Sequence, residues 1–523
     1  MGLSAGCLLR PVQQRKGRFF FAVIFLFLSV SARAEVPTLD YLFPAGGQRG
    51  TNVTISVGGK LEPWPAKIWA DTPGLEFKAG TNKNTFTVQI AKEVPLGVHL
   101  VRTYTADGAS APRWFVVGEQ NELLEKEPND NARQAQFIES LPVTVNGQLE
   151  KSGDVDSFAI KLAAGQWLVA RVEAYGIGSP MDPTLHLLDE HGVRIAFASD
   201  TQNADPLLAH HVERTGIYIL QLVAFAHPPQ AAVNFTGGKA TVYRLAISAG
   251  PVVPYEVPEA IRRGGKAEVL EVEPNNTSAQ AQPVTIPAVV KGQINPAGDE
   301  DRFVFMAKQG EQFDFQLHSA RFGYPLDAVL RVEDKAGKQL ARDDDSGGSQ
   351  DPQLVWTAPT AGPYVVAVSD LSQKGGSDFV YWLEMKPLVP DFKVSIDNHA
   401  YRIEAGKTNE IKLTVTRLHG HKASLAVTLA GLPEGVTAKV AEIPAAGGEV
   451  KVILTATAEA KAASQPFRVL VNAVGASQEA AHAALFELRP KDAAGDLLIT
   501  HTDSIWLTVI PKPVATGSSA SKQ

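Results

Sequence analysis

Short runs in which apolar and polar residues alternate, broken by glycine and proline, make up most of this chain. Val53-Thr54-Ile55-Ser56-Val57, Thr85-Phe86-Thr87-Val88-Gln89-Ile90, Ile411-Lys412-Leu413-Thr414-Val415-Thr416 and Val450-Lys451-Val452-Ile453-Leu454 are the clearest. A period of two places alternate side chains on opposite faces of a strand, so each run predicts a strand with one buried face. Gly97-Val98-His99-Leu100-Val101, Phe467-Arg468-Val469-Leu470-Val471 and Ile505-Trp506-Leu507-Thr508-Val509 predict further strands, and Leu42-Phe43-Pro44-Ala45-Gly46-Gly47 predicts turns. No long stretch carries the helical period. Glycine and proline together supply 78 of 523 residues and punctuate the runs, which is the habit of β-sandwiches. At ~100–200 residues per domain, the length implies several of them.

One module is written twice. Glu127-Pro128-Asn129-Asp130 returns as Glu273-Pro274-Asn275-Asn276, Gly147-Gln148-Leu149 as Gly292-Gln293-Ile294, and Gly153-Asp154-Val155-Asp156-Ser157-Phe158 as Gly298-Asp299-Glu300-Asp301-Arg302-Phe303. The offset stays at 145 or 146 residues. The correspondence continues through Gly178-Ser179-Pro180-Met181-Asp182 and Gly323-Tyr324-Pro325-Leu326-Asp327, Asp205-Pro206 and Asp351-Pro352, Gly216-Ile217-Tyr218 and Gly362-Pro363-Tyr364, and Tyr243-Arg244-Leu245 and Tyr381-Trp382-Leu383. The first copy carries eight extra residues between Phe225 and Tyr243, including His227-Pro228-Pro229. Loops absorb insertions, so these belong on a rim.

The N-terminus reads as an export signal. Arg10, Arg15, Lys16 and Arg18 precede an apolar run over 19–30, and Ala32-Arg33-Ala34 fits a small-x-small cleavage site. The run is shorter than the ~20 residues a spanning helix needs; the alternative is an uncleaved anchor. Cleavage after Ala34 would leave a secreted, periplasmic or cell-surface protein. Cys7 is the single cysteine, so disulfides cannot hold the mature chain together. Loss of the five basic residues of the leader takes the net charge from -7 to -12. That argues against nucleic acid or an anionic membrane as a main partner and is compatible with cation binding.

The repeated units resemble the bacterial pre-peptidase C-terminal domain, an accessory module of secreted peptidases that includes the collagen-binding modules of clostridial collagenases. The Glu-Pro-Asn opening, the Gly-Asp-x-Asp-x-Phe step, the Leu/Met-Asp turn and the Gly-x-Tyr strand carry the resemblance, in order, in both copies. It implies a jelly-roll-like sandwich and, as in the collagen-binding members, calcium at the N-terminal linker. Residues 35–118 resemble the immunoglobulin-like TIG or IPT domain through Pro44, Gly46, Gly47, Gly50, Thr51, Ile55, Gly59, Leu61 and the closing Phe115-Val116-Val117-Gly118. The turn Gly431-Leu432-Pro433-Glu434-Gly435-Val436 resembles bacterial immunoglobulin-like modules. The expected fold is all-β: four consecutive sandwiches, immunoglobulin-like at 35–118, jelly-roll-like at 119–250 and 251–388, and immunoglobulin-like at 389–511. A signal peptide at 1–34 precedes them and a disordered tail at 512–523 follows.

Glu125, Glu127 and Asn129 sit at i, i+2 and i+4, where an extended segment places them on one face. Asp130 follows, and Asp154 and Asp156 come from the next loop. Oxygen ligands in this number suit Ca²⁺, which takes ~6–8 of them. Carboxylates crowded this way repel without a cation. The second copy offers Glu271, Glu273, Asn275, Asn276, Asp299 and Asp301, with Asn276 in place of an acid, so a weaker second site is expected. The collagenase modules, by resemblance, use the same linker pattern and downstream aspartates. The competing readings are that Asp130 and Asn276 cap short helices beginning at Asn131 and Thr277, and that Gly-Asp-x-Asp is a solvated turn.

Other motifs are weaker. Asp343-Asp344-Asp345-Ser346-Gly347 opens like a calcium loop, but Leu354 stands where the closing acid belongs. His210-His211 and His419-Gly420-His421 lack the partners of a zinc hydrolase. Trp64, between two prolines, is a candidate rim contact. The expected function is non-catalytic binding of an extracellular protein or polysaccharide, with calcium stiffening the module junctions. The alternatives are an accessory partner of a secreted peptidase, or an enzyme whose dispersed carboxylates form no motif.

Overall fold

The computed structural model describes residues 35–201, 204–229, 234–249, 268–320, 324–346, 350–475, 481–489, 495 and 497–512. The leader with Cys7, and residues 513–523 of the tail, lie outside them. The alternating runs do become strands, and the fold is four successive β-sandwiches of two sheets each. Among the described residues the helical content is limited to 3-10 turns, at Tyr175–Ile177 and at Ala320.

In the first sandwich, Tyr41–Phe43, Asn52–Gly58, Thr85–Ile90 and Leu75–Ala79 form one sheet. Gly46–Gln48, Arg113–Gly118, Gly97–Thr105 and Lys67–Ala70 form the other. Ile55, Val57, Phe86, Val88, Phe115 and Val117 fill the space between. The stretch expected as turns thus supplies two short strands, because Gly46–Gln48 pairs in parallel with Val116–Gly118, a partner some seventy residues away. Trp64 is not a rim contact: its ring packs edge-on against Phe86 at 5.4 Å.

The two repeated modules share one topology. In the first, Asn121–Leu124, Val143–Gln148, Val242–Ala249, Trp167–Glu173 and Leu207–His211 make one sheet. Gln136–Ile138, Asp156–Leu162, Gly216–Ala226, Met181–Leu188 and Arg194–Ala198 make the other. The second module repeats this order from Glu268–Leu270 to Val380–Pro387. In each copy the first strand of each sheet runs parallel to its neighbour, and the other pairings are antiparallel. The chain therefore crosses from one sheet to the other straight after its first strand. That crossing is the Glu-Pro-Asn segment.

The fourth sandwich, Asp391–Ile396 to Ile505–Ile510, does not hang free at the end of the chain. It packs back onto the first sandwich and the first module. Arg102, fully buried, donates to the carbonyls of His399 at 3.0 Å and Ser504 at 2.6 Å. Trp506 packs against Trp69 and Tyr104. Trp114 Nε1 donates to Ile499 O at 3.1 Å, and Tyr175 Oη to Gly495 O at 3.1 Å. Ala45, Leu100 and Trp114, Tyr175 and Ile177, and Leu497 form one apolar cluster across the three bodies.

Candidate metal centres

Each module holds an acidic cleft where the crossing segment meets the second sheet. A glutamine staples the segment's two ends. Gln136 accepts from Lys126 N at 2.7 Å and donates to Leu124 O at 3.2 Å. Gln282 does the same with Val272 N and Leu270 O, at 2.8 and 2.9 Å. Within the loop, Glu127 Oε2 accepts from Asn129 N at 3.0 Å, and Glu273 Oε2 from Asn275 N at 2.8 Å. The glycine before each aspartate pair, Gly153 or Gly298, takes φ near +80°, which turns the chain into the cleft.

In the first cleft, oxygens of Glu127, Asp154 and Asp156 lie within 4.8 Å of one another. Asp154 Oδ2 accepts from Glu150 N at 2.6 Å, while its Oδ1 has no hydrogen bond and faces Lys151 Nζ at 3.7 Å. Asp156 Oδ1 is likewise buried without a hydrogen bond. Asn129 is fully buried with neither Oδ1 nor Nδ2 satisfied, though its carbonyl takes Ser157 N at 3.1 Å. Asp130 sits at the rim and pairs with Lys151 at 3.5 Å. Glu125 stands one step behind: Tyr243 Oη lies 2.9 Å from its Oε2 and 2.6 Å from Asp156 Oδ2. A hydroxyl carries one hydrogen, so the two contacts together require a proton on one of the two carboxyls. Burial, then the Asp156 charge, holds Glu125 well above the ordinary carboxylate range. Burial raises Asp156 too, and raises Glu127 at the mouth.

The second cleft repeats this with one rearrangement. Here Glu271, Glu273 and Asp301 converge within 4.8 Å. Asp299 is drawn off, its two oxygens accepting from Asn295 N and Glu300 N, both at 3.0 Å. Tyr381 Oη donates to Asp301 Oδ2 at 2.6 Å. Asn275 is again fully buried with both side-chain polar atoms unsatisfied, as is Asp301 Oδ1. Asn276 is exposed and its carbonyl accepts from Arg302. Burial raises Glu271, Asp299 and Asp301.

Neither Asp130 nor Asn276 caps a helix. Residues 131–134 form a turn closed by Gln134 N to Asn131 O at 2.9 Å, and Asn131 Oδ1, not Asp130, accepts from the Arg133 amide. The matching turn in the second copy closes between Gln280 N and Thr277 O. Four site residues escaped the sequence reading: Tyr243, Tyr381, Gln136 and Gln282. Each has a counterpart in the other copy, the glutamines 146 residues apart and the tyrosines, past the eight-residue insertion, 138; that recurrence was the available signal. Asp343 bonds Ser346 and Gln353 N, and Asp344 pairs with Arg342 at 2.7 Å, as an acidic turn does.

The donor set fits a hard cation. Every cleft ligand is oxygen, with no cysteine or histidine in either trio. Several buried oxygens point nowhere else. An unsatisfied buried polar atom costs ~1–3 kcal/mol, so a cation that engages them offsets both that cost and the carboxylate repulsion.

No family model matches the chain. Aligned over 161 positions that cover 28% of the chain, the sequence is 29% identical to a probable subtilase-type serine protease of Deinococcus radiodurans. The match covers 22% of that relative, so the chain spans about a fifth of its length. Among solved structures, the chain is similar to domains 1–6 of the surface layer protein SbsC, at 11% identity and a TM-score of 0.15 over 91% of this chain and 55% of that one. It is also similar to the four N-terminal immunoglobulin domains of Dscam1, at 11% identity and a TM-score of 0.17 over 87% of this chain and 99% of that one. A third likeness is to the M60 catalytic domain with two CBM51 domains of Clostridium perfringens ZmpB, at 10% identity and a TM-score of 0.14 over 67% of this chain and 55% of that one. Overlaps this loose carry no inference about this chain.

Proposed function

We propose that this chain is an exported, non-catalytic β-sandwich protein that binds an extracellular protein or polysaccharide, with Ca²⁺ in its two acidic clefts; the crossing segments lie inside the modules, so the ion would stiffen each module rather than the junctions between modules. The observation that carries the calcium reading is the duplicate. Two clefts 145 or 146 residues apart in sequence keep the same buried, unsatisfied asparagine and the same tyrosine-bound aspartate. In the first, Glu127, Asp154 and Asp156 would hold the ion, with the Asn129 side chain beside them; in the second, Glu271, Glu273 and Asp301 with Asn275. The ion supplies positive charge where the chain has concentrated negative charge. Because Glu127 and Glu273 lie on the crossing segments, Asp156 and Asp301 on strands of the second sheet and Asp154 in the turn before it, ligation ties each crossing segment to the second sheet of its own module. The resemblance to pre-peptidase C-terminal modules supports the same assignment.

A thermal melt of the full chain with calcium and with EGTA tests it. Calcium raises the midpoint, by mass action on the state that binds. Glu127→Gln cuts the rise attributable to the first cleft; a rise of unchanged size would mean that the first site is wrongly placed. The binding role is tested separately, on an array of matrix proteins and glycans, where retention of none of them counts against it. A second reading, an accessory partner of a secreted peptidase, is favoured by the match to the subtilase-type protease. Its test is co-purification of a peptidase from the native secretome.

A further inference from the structure

A cavity of about 350 Å³ opens where the first sandwich, the first module and the fourth sandwich meet. This is within the range of small-molecule sites, ~300–1,000 Å³. Trp114, Tyr175, Pro228 and Phe486 give it an apolar wall. His227 and Pro228 come from the insertion that the second module lacks, and the His227 ring packs edge-on against Tyr175 at 4.8 Å. The cavity therefore belongs to one copy of the repeat.

Its charge runs against the chain's. The protein carries a net charge of -7, yet among the described residues lining the cavity there is no aspartate or glutamate, while Arg113 is one of them. Arg113 donates through Nε to Leu39 O at 2.8 Å and reaches Gly178 O only at 3.5 Å through Nη1. Among the described residues no carboxylate forms an ion pair with it. Burial pushes it below its ordinary value, and Asp40 offsets this only in part. The other polar lining group of note is His399. Arg102 Nη1 lies 3.3 Å from its Nδ1. A guanidinium only donates, so Nδ1 accepts and the neutral ring carries its hydrogen on Nε2. The cavity thus pairs the Arg113 guanidinium and an imidazole donor with aromatic walls. Charge complementarity selects an anion, and the walls select an apolar body.

We propose that this junction cavity binds a small carboxylate on an aromatic or aliphatic body, with the carboxylate held by Arg113 and His399 and the body held by Trp114, Tyr175 and Phe486. The site is distinct from the calcium clefts and does not rest on them. Bound there, such a ligand touches three of the four sandwiches at once and fastens the fourth to the first.

Isothermal titration of the full chain with 3-phenylpropionate, and with the uncharged 3-phenylpropionamide, tests this. The acid is expected to bind ~10-fold or more tightly than the amide, the advantage of a charge-assisted hydrogen bond. Arg113→Gln should level the two affinities, and His227→Ala should weaken both together. If Arg113→Gln fails to fold, the acid-against-amide ratio on the native chain decides alone. Equal affinities for acid and amide, or no heat from either at millimolar ligand, would overturn the proposal.

Discussion

Asp156→Asn is the substitution that most sharply tests the reading of the acidic clefts, because its effect should change sign with calcium. The carboxylates of Glu127, Asp154 and Asp156 approach within 4.8 Å. Two unit charges at that distance repel by ~3 kcal/mol at an effective dielectric of ~20, and by under ~1 kcal/mol in water. Glu127 is exposed and Asp154 and Asp156 are buried, so the removable repulsion lies between those bounds, about 1–3 kcal/mol. Asparagine keeps an oxygen for the Tyr243 hydroxyl, which now bonds Asp156 at 2.6 Å, so packing and that contact survive. In EDTA, then, the variant should be more stable than the native chain. The gain is fullest in alkaline buffer, since asparagine imitates the protonated aspartate that burial already favours near neutrality. With calcium ~100-fold above its dissociation constant, the native cleft gains ~2.7 kcal/mol by linkage, and the variant forfeits most of it. Hydrogen exchange of the peptides spanning Val143–Gln148 and Asp156–Leu162 reads this locally, with Ala288–Gln293 and Glu300–Ala307 as the control inside the same molecule. A loss of protection of the same size in EDTA and in calcium would refute the reasoning, since it would mean that Asp156 is an ordinary structural hydrogen-bond acceptor.

Three further outcomes are expected. Without metal, stability should fall as pH rises above the ordinary carboxylate range, because Glu125, Asp156, Glu271 and Asp301 hold protons more tightly folded than unfolded; calcium should flatten that slope in melts taken across pH, and a metal-free midpoint that climbs with pH would contradict it. Gly147→Ala should cost ~3 kcal/mol or more, as its Cβ would stand 2.0 Å from the Tyr243 ring and 2.5 Å from Glu125 Oε2, whereas Gly153→Ala, with φ +84° and no atom within 4 Å, should cost only the left-handed backbone penalty of ~1–2 kcal/mol; denaturant titration ranks the two. Arg102→Met removes two hydrogen bonds to carbonyls of the fourth sandwich and should weaken its docking by ~3 kcal/mol, visible as faster exchange or proteolysis of Ala400–Glu404 while Thr408–Leu418 stays protected.

Much of this molecule is legible along the chain. Alternation over Thr85–Ile90 or Thr408–Leu418 states which side chains face inward, because a strand's period is local geometry. The duplicated Glu-Pro-Asn and Gly-Asp-x-Asp motifs state that whatever is built once is built twice. What only the tertiary structure decided are the neighbours. Tyr243 reaches Glu125 across 118 residues because Gly147 lies opposite it in the paired strands and has no side chain in the way. Which acids converge differs between the copies, since Asp299 is engaged by two amides and Asp154 by one. The fourth sandwich folds back through Arg102, a residue whose burial no periodicity announces. Period and motif report on a residue's own segment. Contacts between distant segments depend on how strands pair and sandwiches dock, which is settled by burial summed over the whole chain.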